Sequence, residues 1–176
     1  MTHMETSVHL ITYEESLLMP ENKMEEILDG VSRIMPPPTV RHFLLMHGLS
    51  KMLTAMLPES EVWPAYFGLG IRRSPFRYRI PDLSVFDAKT LKKAVYGNTD
   101  DGYLWIAPFL IAECLSPANR RGNVAELVKD YKSIGVPELW LFRPEQKIFE
   151  GYGHSALSTQ IDLVELWEAF EGKRRI

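Results

Sequence analysis

The chain has 176 residues, 20 Lys and Arg against 23 Asp and Glu, 45% apolar residues and one cysteine, Cys114. This is an ordinary globular composition, so one domain over residues 1–176 is expected, with a core over about 12–152 and a tail helix over 164–170. A lone cysteine excludes a disulfide framework and a Cys-rich zinc site, and a net charge of −3 excludes a global positive field, so any nucleic-acid contact has to rely on a local patch.

The first residues carry Glu5, Glu14 and Glu15 without the basic-then-apolar order of a signal peptide, and a cytoplasmic protein is expected. Thr12 followed by Glu15 forms a capping box for a short helix through Leu17 and Leu18 that Pro20 stops. Asp29-Gly30 between Glu26-Ile27-Leu28 and Val31-Ser32-Arg33-Ile34 predicts a hairpin with a type I′ turn, ended by Pro36-Pro37-Pro38. Thr39 to Leu57 places Phe43, Met46, Leu49, Leu53 and Met56 at helical spacing without proline, which predicts the longest helix. Val62 to Ile71 and Tyr78 to Phe86 read as strands, antiparallel neighbours around the polar turn Arg72-Arg73-Ser74-Pro75. The most apolar run, Tyr103 to Ala112, is broken by Pro108 and ended by Glu113, well short of the ~20 residues that span a bilayer, so no membrane contact is expected.

Phe109 to Leu115 has the continuous apolar character of a central strand buried on both faces. From Asn123 to Ile134 the apolar residues Val124, Leu127, Val128, Tyr131 and Ile134 share one helical stripe, with Gly135 as the stop. Glu138 to Phe142 and Lys147 to Tyr152 follow as strands, and Val164 to Phe170 as a short amphipathic helix before Gly172. The order predicts an α/β fold: a mixed sheet with at least one right-handed crossover.

Two acids stand where acids are costly: Asp82 in Ile80-Pro81-Asp82-Leu83-Ser84-Val85-Phe86, and Glu113 in Leu110-Ile111-Ala112-Glu113-Cys114-Leu115. Singly, each reads as a strand end facing water. Together they suggest paired or metal-bound carboxylates, because an isolated buried charge is prohibitively expensive. Carboxylates converging from neighbouring strands suit Mg²⁺, which takes oxygen ligands and keeps waters for chemistry on phosphate esters.

Five ordered segments then carry a resemblance: Glu26-Ile27-Leu28-Asp29-Gly30; Met35-Pro36-Pro37-Pro38 with Arg41-His42; Ile80-Pro81-Asp82-Leu83; Ala112-Glu113-Cys114-Leu115-Ser116-Pro117; and Gly135-Val136-Pro137-Glu138-Leu139-Trp140. Over Thr12 to Phe142 the chain resembles the Uma-two family, a large bacterial group within the PD-(D/E)xK nuclease superfamily. The resemblance implies a restriction-endonuclease-like fold, with a central mixed β-sheet flanked by helices. It also implies hydrolysis of DNA phosphodiester bonds dependent on Mg²⁺, or on Mn²⁺. Asp82 matches the Asp of the PD motif and Glu113 the second acid, both metal ligands and catalytic residues by this resemblance. Glu26 matches the upstream acid and completes the catalytic set. Superfamily resemblance further implies a homodimer, which places two sites on two strands.

One position departs from the pattern. In D/E-x-K the lysine shares a strand face with the second acid, but here that position is Leu115. The family's alternative, four residues before the tyrosine that corresponds to Tyr131, is Leu127. Lys129 and Lys132 lie off that position and read as a solvated helix surface, while Arg120, Arg121 and Asn123 at the helix start could bring a cation or an amide near the site. The alternative is therefore a catalytically inactive member of the same fold, acting as a nucleic-acid-binding or self-association module; another metal hydrolase is a third reading. Among the remaining candidates, His42 and His47 are five apart, outside ligand spacing for one helix face, and read as structural or surface. His3, His9 and His154 lack acidic or Cys partners at ligand spacing, Cys114 reads as core, and Ser116-Pro117 as turn chemistry. Arg72, Arg73, Arg77 and Arg79, interleaved with Phe76 and Tyr78, read either as a DNA-contacting strand pair or as a solvated turn. Lys173-Arg174-Arg175 reads as a frayed tail.

Overall fold

Strands β1 (Glu25–Leu28) and β2 (Val31–Ile34) form the expected hairpin, with Leu28 opposite Val31. The structure, a computed structural model, describes residues 9–12, 15, 18, 25–35, 37–64, 68–70, 76–97, 103–104, 106–117 and 121–173. Asp29 and Gly30 adopt φ of 54° and 77°, the left-handed pair that a type I′ turn demands. Before them, Thr12 and Glu15 exchange reciprocal side-chain to backbone hydrogen bonds of 2.9 and 3.1 Å, as a capping box does. Helix α1 (Val40–Met56) starts at Thr39, whose hydroxyl accepts from the His42 N–H.

The two strands expected next each divide. Val62 to Ile71 overlaps β3 (Ser60–Pro64) and β4 (Gly68–Gly70), and Tyr78 to Phe86 overlaps β5 (Tyr78–Arg79) and β6 (Leu83–Asp87). β3 pairs with β6 and β4 with β5, both antiparallel, so the expected pairing occurs twice, in different sheets. The division of the second run falls at Pro81, which lacks a ladder N–H and restrains Ile80 before it. Asp82 therefore stands in the crossing between sheets rather than inside a strand. The Arg72 to Pro75 turn lies outside the described residues.

Helix α2 (Ala88–Gly97) follows β6 directly and is absent from the sequence reading. Its signal was Asp87, whose carboxylate accepts from the Thr90 N–H and hydroxyl at 2.8 Å each, an N-cap. Lys89, Lys92 and Lys93 flank the buried Leu91. β7 (Tyr103–Leu104) then pairs parallel with β4.

β8 (Leu110–Cys114) and β9 (Glu138–Arg143) pair parallel, so helix α3 (Arg121–Ser133) between them is the crossover. α3 ends in a Schellman motif: Gly135, at φ 90°, donates to Lys132 C=O, and Val136 donates to Tyr131 C=O. β10 (Ile148–Tyr152) returns antiparallel to β9, and α4 (Leu163–Phe170) is capped by Asp162.

The described strands form two sheets, ordered β2-β1-β5-β4-β7 and β10-β9-β8-β6-β3, and β8 is the middle strand of the second. Side-chain alternation divides the second sheet's faces. Leu110, Ala112, Trp140 and Phe142 meet α1 and α4 through Leu45, Leu49, Leu53 and Leu166. Ile111, Leu139 and Leu141 meet α3 through Val124 and Tyr131. Glu113 shares the parity of Ile111 and so faces α3. The mixed sheet flanked by helices is the expected fold class. Among the described residues, no helix is long and apolar enough to cross a membrane.

Candidate active site

Glu113 lies on the central strand with its carboxylate buried, and its Oε1 accepts a short hydrogen bond from the buried Tyr131 hydroxyl of α3. Asp82 is fastened to the same strand one residue on: its Oδ2 accepts from the Cys114 N–H at 2.8 Å. Its Oδ1 lies 3.2 Å from His42 Nε2, on the first turn of α1. Glu26 comes from β1 and accepts from the Ile80 N–H at 3.2 Å and from Arg79 Nη1 at 3.1 Å, which ties the hairpin to the segment leading into Asp82. The three acids singled out in the sequence are thus brought into one cluster, in which each carboxylate has at least one protein donor.

Their electrostatics follow from burial and like charge. Burial pushes the Glu113 carboxyl well above the usual range, the negative charges of Asp82 and Glu26 push it further, and the Tyr131 hydrogen bond and Arg79 oppose them. Burial also raises Glu26; Arg79 and the Ile80 N–H pull it back, and Asp82 adds to the rise. For His42 burial favours the neutral ring, but the hydrogen bond and charge of Asp82 outweigh it, so its pKa is raised. Burial, with Asp82 and Glu113 adding, pushes the Cys114 thiol up, so it carries its proton.

His42 is the site residue that sequence spacing missed. Its spacing to His47 was the wrong test, since its partner lies forty residues on in the chain, in Asp82. Its signals were the Arg41-His42 pair of the family resemblance and the Thr39 cap that fixes the first turn of α1.

The basic side of the cluster also differs from expectation. Arg77 and Arg79 fit neither the DNA-contacting nor the solvated reading, because both are buried and bound to acids. Arg77 grips Asp130 of α3 through Nε at 2.8 Å and Nη2 at 3.0 Å, Asp29 through Nη1 at 2.6 Å and Glu126 through Nη2 at 2.6 Å. Arg79 donates Nε to Asp130 at 2.9 Å while its Nη1 holds Glu26. The pair thus bolts β5 and the hairpin turn to α3. Arg72, Arg73 and Arg120 lie outside the described residues. Where a lysine is expected, Leu115 is buried and Leu127 half-buried, both in the apolar cluster under α3. Lys129 and Lys132 are exposed, and Lys132 Nζ lies 5.4 Å from the centre of the Tyr152 ring.

Among the described residues, no group of three His, Cys, Asp or Glu side chains forms a ready metal cage. The donor chemistry still fits a hard cation, since Mg²⁺ is held by one or two carboxylates and otherwise keeps its waters. Asp82 and Glu113 supply two carboxylates whose mutual repulsion a cation relieves.

A family model described as "Putative restriction endonuclease" (Uma2) matches residues 12–171, the greater part of the chain. The chain belongs to the Uma2 family. In three dimensions this Uma2 chain is similar to the crystal structure of "a putative nuclease belonging to DUF820" from Anabaena variabilis ATCC 29413, with a TM-score of 0.70 and 16% identity, over 91% of this chain and 99% of that one. At such identity the likeness is one of fold, the restriction-endonuclease-like arrangement. Among curated proteins, none matches.

Proposed function

We propose that the chain is a divalent-metal-dependent endonuclease that hydrolyses DNA phosphodiester bonds in the cytoplasm, with Asp82 and Glu113 holding Mg²⁺ or Mn²⁺ and Glu26 completing the catalytic set. The observation that carries this reading is the buried Glu113 carboxyl held beside Asp82 with a single hydroxyl donor. Two acids pressed together in a low-dielectric setting are destabilising until a cation joins them. When bound, the ion supplies Lewis acidity and a nucleophilic water at neutral pH.

The chain's own residues do the positioning. The Cys114 N–H and His42 fix the Asp82 carboxylate, the Tyr131 hydroxyl fixes Glu113, and Arg79 with the Ile80 N–H fixes Glu26. Arg79 also sets a permanent positive charge behind the acids, in place of a mobile lysine among them. A homodimer would present two such sites to the two strands of a duplex.

A second reading has its own observation. Leu115 and Leu127 pack in the apolar cluster where the superfamily places a lysine, which favours a non-cleaving nucleic-acid-binding or self-association module. The deciding experiment is turnover on supercoiled, linear duplex and single-stranded DNA with Mg²⁺, Mn²⁺ or EDTA, beside Asp82→Ala. Metal-dependent cutting that vanishes in Asp82→Ala is expected. A folded protein that cuts nothing transfers the assignment to the non-cleaving module.

A further inference from the structure

From Val31 to Pro58 the chain has no Asp or Glu, although the whole protein carries 23 of them. The same stretch holds Arg33, Arg41 and Lys51, and it forms β2 and α1. It also exposes apolar side chains: Ile34 is 66% exposed, Val40 74% and Phe43 56%. α1 turns Leu45, Leu49 and Leu53 into the core, so its outward line runs through Phe43, His47 and Lys51 at successive turns. The Phe43 and His47 rings lie stacked there, with centroids 5.6 Å apart and planes 10° from parallel.

Each of the two elements reaches the acidic cluster. His42, next to Phe43, touches Asp82, and Arg33 sits opposite Glu26 in the hairpin register. Exposed flat rings flanked by cations, with no acid in the same stretch, are what a single nucleic-acid strand binds: bases stack on the rings and phosphates meet the cations. A duplex hides its base faces and has no use for such rings. A second copy of the chain would bring the same basic stretch against itself, like charge on like, and β2 is a short edge strand with an arginine and a following proline run, features that discourage strand pairing.

We infer that the outward face of α1, with the Phe43 and His47 ring stack at its centre and Lys51 beside it, binds unpaired bases of the nucleic-acid strand whose phosphate reaches the acidic site. This rests on the nucleic-acid reading of that site and adds a preference for single-stranded or frayed substrate.

The test is fluorescence anisotropy in EDTA, where no metal-dependent cleavage occurs, with a labelled single-stranded oligonucleotide carrying 2-aminopurine and its blunt duplex, on the full chain and on Phe43→Ala, Phe43→Trp and Lys51→Gln. The single strand is expected to bind more tightly than the duplex. Phe43→Ala should weaken it about tenfold and abolish 2-aminopurine quenching, whereas Phe43→Trp keeps both. Lys51→Gln should lower the slope of log affinity against log salt by about 0.7. Unchanged single-strand affinity in a folded Phe43→Ala overturns the inference, as does equal loss on single strand and duplex. Concentration-dependent dimers in sedimentation that Phe43→Ala dissolves overturn it too, by making the face a self-interface. Phe43-dependent binding without cleavage in Mg²⁺ leaves the inference standing and sinks the nuclease reading; cleavage indifferent to Phe43, with binding likewise indifferent, does the reverse.

Discussion

Glu113 and Glu138 are buried carboxylates on neighbouring parallel strands, each 6% exposed, yet their surroundings are opposite. In the register Glu138 faces Leu110 and Glu113 faces Leu141, so the two sit toward opposite ends of the β8–β9 ladder. Glu138 Oε1 accepts from the backbone N–H groups of His154 and Ser155 at 2.8 and 2.6 Å. Gly153 approaches so closely that a Cβ there would lie 2.2 Å from the Glu138 carboxyl carbon. The loop is wrapped around that carboxylate, which acts as a peg. Among the described residues Glu113 has the Tyr131 hydroxyl as its donor and Asp82 and Glu26 as negative neighbours. Burial alone therefore does not mark a reactive acid; the distribution of donors and like charges around it does.

The countercharge of the Glu113 cluster is Arg79, and Asp130 holds Arg79 and Arg77 together. The largest effect is expected from Asp130→Ala, which removes the buried acid shared by two guanidinium groups and leaves Arg77 to Asp29 and Glu126 and Arg79 to Glu26. A loss of about 5 kcal/mol, the upper range for breaking a buried pair, should appear in urea denaturation. Asp130→Asn keeps the shape and one of the two acceptor oxygens and should cost less than Asp130→Ala. Equal costs would show that charge rather than shape holds β5 to α3.

Glu113→Gln should cut metal-dependent cleavage about a thousandfold, about 4 kcal/mol of transition-state stabilisation, while the protein stays folded. Glu138→Gln, by contrast, should leave turnover unchanged. Retained turnover in Glu113→Gln would erase the distinction between the two acids.

Glu138→Ala strands two backbone N–H groups and should cost about 2–3 kcal/mol in unfolding free energy. Gly153→Ala should cost a similar amount, because the added methyl must displace the peg. Neither effect could be read from the sequence: Glu138 opens a strand after Pro137 and its partners arrive from the 153–155 loop. Glu113 was legible because one acid interrupts an apolar run, and Asp82 because it follows a proline in an apolar segment, although that segment is a crossing between sheets and not the strand expected. The hairpin, α1, the central strand and the α3 crossover were also legible, since each is written in local turn chemistry or in one unbroken period. Where the reading failed, the deciding partner was remote. Arg77 and Arg79 look like a surface patch until Asp130, about fifty residues on, buries them. His42 looks like helix surface until Asp82 meets it. α2 was missed because lysines surround Leu91 in its first turns.

The smallest effect tests the charge state of the loosely held acid. In EDTA the folded Glu113 has a raised pKa, so above the unfolded value near 4.5 the folded state keeps a proton that the unfolded state has lost. Stability therefore falls as pH rises through that window. His42, also raised, contributes in the same direction: its stabilisation is full below the unfolded value of about 6.5 and is lost as pH rises through the folded one. Wild-type protein should melt lower at pH 8 than at pH 5.5, and Glu113→Gln should raise the pH 8 melting temperature by about 2–4 °C with little gain at low pH. Adding Mg²⁺ at pH 8 should lift the wild type toward the variant and leave the variant nearly unmoved, because the ion relieves the same repulsion that the amide removes. A wild-type melting temperature indifferent to both pH and Mg²⁺ would mean that Glu113 is pegged as firmly as Glu138.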